Sequence, residues 1–212
     1  MNHRIADIVI PDSKLAAEAT ELLREHGTEL LYNHSLRVFI FAALRGKREK
    51  MKYDPELLYI SAVFHDLGLV SPYSSADERF EVDGANAARA FLQQHGIPEQ
   101  TADIAWDAIA LHTTPGITKW KKAEVALLAN GVKLDVVGVG YEELSREQRE
   151  EIVAAFPRPN FKQEIVHAFF DGISHKPFTC YGNIKADVCE RLLPGYKRPN
   201  FVEMIENSPW AE

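Results

Sequence analysis

The chain has 212 residues, 46% of them apolar, and its 31 acidic side chains outnumber 24 basic ones for a net charge of -7. That length and apolar share support a sizeable core, so a disordered tail is excluded, and two cysteines are too few for a disulfide scaffold. The acidic balance argues against nucleic acid or an anionic membrane as partner.

Helical periodicity dominates from residue 13 to about residue 135, and no alternating Val, Ile and Thr run is long enough to nucleate a sheet. The opening MNHRIADIVIPDS breaks at Pro11 without the apolar stretch of a signal peptide. Ser13 is placed to cap a helix ending at His26-Gly27, and a second helix runs from Thr28 to Arg45. Asp54-Pro55 opens a third, closed by Gly68. Asp83 is expected to cap a fourth that ends at His95-Gly96, leaving Arg79 and Glu81 on a polar loop before it. Pro98 opens a fifth that reaches His112, and a sixth spans Lys119 to Val136.

Shorter helices are expected over Arg146–Phe156, Asn160–Ser174, Ile184–Leu192 and Phe201–Asn207, separated by prolines. The longest apolar run, Val38 to Leu44, is far below the length of a bilayer span. Without repeats or a linker, the expectation is a single all-α helical bundle over residues 1–212. A soluble cytoplasmic protein acting on a small molecule follows, with two reduced cysteines and a homo-oligomer plausible on base rates.

The informative residues are polar ones standing where the helical period demands apolar ones. His34 interrupts the stripe Leu30, Leu31, Val38, Phe41, Ala42. His112 continues the stripe Ile104, Ala105, Ala108, Ile109, and Asp135 continues Val125, Leu128, Val132. The helix from Pro55 reads LLYISAVF, apolar on nearly all sides, and ends in His65-Asp66. A lone histidine on an apolar face is more often a satisfied core residue than a ligand, and chance alone gives about 0.4 His-Asp dipeptides in such a chain. The joint pattern carries more weight, because a buried carboxylate needs a cation or strong donors. Facing side chains on bundled helices are a standard way to build a metal site. His26 and His95 suit helix C-termini, where a cation favours the dipole; His3, His167 and His175 have no evident role.

NHSLRV around His34, FHDLG at His65-Asp66 and the late Asp135 resemble the H...HD...D pattern of the HD-domain superfamily of metal-dependent hydrolases. The likeness spans about residues 28–140, the core of the expected domain, with a helical C-terminal extension beyond it. It implies an all-α fold and one divalent metal ion held by His34, His65, Asp66 and Asp135. A narrower resemblance is to the cyanamide hydratase-like branch, through NHSxRV, the segment RFEVDGANAA from Arg79 to Ala88, and LHT at His112. That branch adds water to the nitrile carbon of cyanamide, giving urea, and uses zinc.

A mixed nitrogen and oxygen ligand set suits Zn, Fe, Mn or Ni, and a bound ion activates water near neutral pH. His112, with Asp66, is the candidate acid/base pair for a hydration. Glu81 is placed to accept hydrogen bonds from a substrate amino group, with Arg79 and Asp83 beside it. The competing enzyme reading is hydrolysis of a nucleotide or other phosphomonoester, which asks for cations that clamp phosphoryl oxygens. Lys119, Lys121 and Lys122 offer such a cluster but suit a solvated helix start equally well. Arg37 offers either a phosphate contact or a brace between helices. A third reading, a catalytically silent helical binding domain, would be marked by loss of a metal ligand, and none of the four positions is lost.

Overall fold

A computed structural model describes residues 4–207; His3 and Trp210 lie outside them. The described chain is all-α: α1 (Lys14–His26), α2 (Glu29–Arg48), α3 (Pro55–Phe64), α4 (Phe80–Gln94), α5 (Glu99–Leu111), α6 (Ala123–Val137), α7 (Arg146–Ala155), α8 (Phe161–Ile173), α9 (Ala186–Leu192) and α10 (Phe201–Glu206). Ahead of them, β1 (Arg4–Ile5) pairs antiparallel with β2 (Ile8–Val9), two residues each.

The caps expected at Ser13 and Asp54 form, and Thr28 also caps its helix. The side chains of Ser13, Thr28 and Asp54 accept from backbone N–H groups at the starts of α1, α2 and α3, satisfying donors that the first turn leaves free. Every residue of α3 from Leu57 to Phe64 is buried, as an all-apolar helix requires. It packs against α1, α2, α4, α5 and α6, so its C-terminal end opens into the middle of the bundle.

Two glycines bring backbones close enough to fix the site. A Cβ on Gly131 of α6 would stand 2.4 Å from the Val38 carbonyl oxygen of α2, so α2 and α6 touch along the segments that carry His34 and Asp135. A Cβ on Gly68 would stand 2.0 Å from the Phe80 carbonyl oxygen. The 3-10 turn Leu67–Leu69 after α3 therefore lies directly on the first turn of α4.

Here the structure corrects an expectation. Asp83 does not cap the fourth helix: α4 begins at Phe80 with Arg79 in the cap position. Glu81 and Asp83 are buried inside its first turns rather than carried on a polar loop. The buried Phe80 continues the inward face of Gly84, Ala88 and Phe91, and lysines from far along the chain meet the two carboxylates. The sixth helix likewise starts later than expected, at Ala123, because Thr118–Trp120 forms a separate 3-10 turn and Lys121 is extended. No helix of the described residues is long and apolar enough to cross a membrane.

Candidate metal centre

Three helices deliver four side chains to one point. His34 comes from the middle of α2, His65 and Asp66 from the end of α3, and His112 from the end of α5. All four residues are between 0% and 2% exposed, so water does not satisfy them. Neighbours on a helix point about 100° apart, yet His65 and Asp66 face the same space. The helix ends between them: His65 keeps helical angles, whereas Asp66 adopts φ -109°, ψ 3°. This bend turns the carboxylate back beside the imidazole.

Each of the three histidines commits its Nδ1–H. His34 donates to Asp135 Oδ2 at 2.6 Å, His65 to the Ala62 carbonyl at 2.7 Å and His112 to the Ile109 carbonyl at 2.6 Å. A neutral imidazole fixed in this way presents a lone pair at Nε2. His34 Nε2 and His65 Nε2 are 3.2 Å apart, and they lie 3.5 and 3.3 Å from Asp66 Oδ2. His112 Nε2 is 3.6 Å from Asp66 Oδ1. Neither Asp66 oxygen has a hydrogen-bond donor although both are buried. Burial opposes ionisation of Asp66, and the proton-bearing forms of His65, His112 and His34 outweigh it, holding the pKa well below the usual carboxylate value.

Converging lone pairs beside a buried, donor-less carboxylate are what a divalent cation stabilises. Ligand atoms of His34, His65 and Asp66 all lie within 4.8 Å of one another. A family model for the HD domain matches residues 31–156, a span that contains every residue of this cluster. The chain belongs to the HD domain family. No curated protein matches it. HD domains are generally metal-dependent hydrolases, and the donor set here fits a divalent ion on the geometry alone.

Asp135, expected as the fourth ligand, stands instead behind His34, outside this three-residue cluster, with both its oxygens taken by His34 and Arg37. Arg37 Nε and Nη2 donate to its two oxygens at 2.9 Å each, His34 donates to Oδ2, and Arg158 donates to Oδ1 and to the Asp135 carbonyl. Burial opposes ionisation of Asp135, and the His34 and Arg37 donors outweigh it, lowering its pKa. In this HD domain Arg37 is thus a brace: fully buried, it ties α2 to α6 and to the Phe156 and Pro157 carbonyls.

A second cluster lies on the His112 side. Lys185 Nζ and Thr113 Oγ1 donate to Glu81 Oε1, with Arg79 Nη2 3.2 Å away. Thr113 follows His112 in the chain, so Glu81 is held next to that imidazole, and Phe80 packs on it with ring centroids 5.8 Å apart. Glu81 Oε2 is buried without a partner. Burial opposes its ionisation, but Lys185, His112 and Arg79 keep its pKa below the ordinary value. Asp83 accepts from the Ser75 N–H at 3.0 Å and from Lys176 Nζ at 2.6 Å, which clamps the chain after α8 against α4.

Sequence reading missed Lys176, Lys185, Thr113 and Arg158. The two lysines sit in a proline-interrupted region without periodicity, where a buried lysine looks like any surface one. The remaining histidines among the described residues stay apart from the centre. His26 ends α1 and His95 caps α4, bonded to the Phe91 carbonyl and Glu18; His167 and His175 are exposed. Lys119, Lys121 and Lys122 are exposed at the start of α6, with Lys121 paired to Asp107 at 2.7 Å.

Proposed function

We propose that this HD domain protein is a metal-dependent hydratase that adds water to the nitrile carbon of cyanamide, giving urea, with zinc as its ion. The observation that carries the reading is a set of buried acceptors that lack donors. The cations around them are engaged by carboxylates: Arg37 and Arg158 share Asp135, Arg79 and Lys185 share Glu81, and Lys176 meets Asp83. Buried without partners are the two Asp66 oxygens and Glu81 Oε2, which accept, and Arg79 Nε beside them, which donates. Buried acceptors of this kind suit a small, neutral substrate that carries N–H groups.

His34, His65 and Asp66 would hold the ion. Asp135 acts through His34, fixing its tautomer and ring orientation as outer partners of metal-bound histidines do. A bound divalent ion supplies Lewis acidity, bringing a water molecule's pKa from about 15.7 toward neutrality. Asp66 is placed to accept a proton as that water adds to the carbon. His112 Nε2, 3.6 Å from Asp66 Oδ1 and backed by the Nδ1–H bond to Ile109, takes that proton from Asp66 and delivers it to the nitrogen that gains negative charge. Glu81 Oε2 accepts the substrate amino N–H and so orients the nitrile. Arg79 and Lys185 hold Glu81, and Asp83 supports the wall through Lys176.

The test pairs metal analysis of purified protein with coupled detection of urea from cyanamide, and with a parallel screen for phosphate from nucleoside monophosphates. Chelator-sensitive urea release, lost in Asp66→Asn, is the expected result. Phosphate release without urea would replace this reading with a phosphomonoesterase. Neither product, with no bound metal, would point to a silent binding domain.

A further inference from the structure

A second concavity lies on the far side of Asp135 from the metal centre. Its volume is about 480 Å³, and none of His34, His65, Asp66 or His112 lines it. That size lies within the range of small-molecule sites. The walls are largely apolar, with Phe41, Leu134 and Leu144 inside and Tyr141 and Val153 partly exposed at the mouth. Three cations, Arg149, Arg158 and Lys162, reach the same space.

The charge there runs against that of the whole chain, which is -7. Asp135 is the one carboxylate in the lining, and both its oxygens already accept from His34, Arg37 and Arg158. Arg149 is turned onto the Tyr141 and Leu144 carbonyls, which are neutral partners. Lys162 has no ion pair among the described residues and is exposed. An apolar hollow with surplus positive charge at its mouth matches a ligand with an apolar body and a single negative head.

We propose that this cavity binds an amphipathic monoanion, with its carboxylate on Lys162 and Arg158 and its apolar body against Phe41, Leu144 and Val153. The site is independent of the cyanamide reading, because it shares no ion-facing atom with the centre. Arg158 nevertheless touches both, since the guanidinium that would meet the carboxylate also bonds Asp135.

The experiment is calorimetric titration of the purified full-length protein with octanoate and, separately, with octylammonium, which have the same apolar chain and opposite heads. Octanoate is expected to bind in the millimolar range or tighter, and octylammonium at least about tenfold more weakly. Val153→Trp, which fills the cavity from a partly exposed position on α7, should abolish octanoate binding. Lys162→Gln should weaken octanoate roughly threefold, the order of an exposed charge pair, and leave octylammonium unchanged; this variant serves if Val153→Trp disturbs folding by circular dichroism. Absence of octanoate binding, equal affinity for the two heads, or full binding in a folded Val153→Trp protein would each overturn the proposal. The last outcome would place the ligand elsewhere, for instance on a metal ion at the centre.

Discussion

Glu81 and Lys185 form a buried ion pair outside the histidine cluster, Glu81 fully buried and Lys185 at 4% exposure. Removing one member of such a pair leaves an unmatched buried charge, which costs about 3–5 kcal/mol. Lys185→Met is therefore expected to lower unfolding free energy by that order, measured by urea denaturation, while Lys185→Met combined with Glu81→Gln should recover most of the loss. An additive double mutant would show that the pair does not interact. A contrasting case is His95, which donates to the Phe91 carbonyl and bonds Glu18 near the surface. These two bonds raise its pKa above the ordinary value. A raised folded-state pKa means that the histidine favours folding below its unfolded pKa, about 6.5, and that this gain vanishes as pH rises through the folded value. Wild type should thus exceed His95→Gln in stability at about pH 6 and lose the margin by about pH 9; a margin constant across that range would contradict the assignment.

At the level of elements, the centre depends on how closely helices approach. Gly131 lets α6 meet α2 at the Val38 carbonyl, and four residues later Asp135 reaches His34 Nδ1. In Gly131→Ala the added methyl would meet backbone that cannot rotate away. Overpacking of this kind costs about 1–3 kcal/mol, and separation of α2 from α6 would stretch the His34–Asp135 bond. We expect a lower melting temperature together with weaker metal binding by about tenfold, the scale set by loss of an outer partner. Unchanged metal affinity in the folded variant would show that Asp135 does not set the His34 geometry. The element boundaries themselves were readable wherever a cap and an apolar stripe coincide, as at Ser13, Thr28 and Asp54. They failed at α4, where buried Glu81 and Asp83 imitate a polar loop and a cap, because hydrophobic pattern alone treats every carboxylate as solvent-facing.

For the whole molecule, the centre links folding to metal. His34, His65 and Asp66 converge only when α2 and α3 are packed, so an ion bound there favours the folded chain over the unfolded one. A divalent ion present at a hundred times its dissociation constant would stabilise by about 2.7 kcal/mol. Chelator-treated protein should accordingly unfold at a lower temperature, with recovery on adding zinc, and Asp66→Asn should be insensitive to both treatments. Equal melting with and without metal would sink the three-residue site.

The amino-acid sequence by itself determined the helices, the inward placement of His34, His112 and Asp135, and the His65-Asp66 pair at the end of a buried helix. These are local properties, set by a period of 3.6 residues and by caps a few positions away. Only tertiary structure decided which charges meet. Asp135 bonds His34 across 101 residues and Glu81 bonds Lys185 across 104. No local signal marks such partners, because burial of a lysine is a property of the packed bundle and not of the segment that carries it.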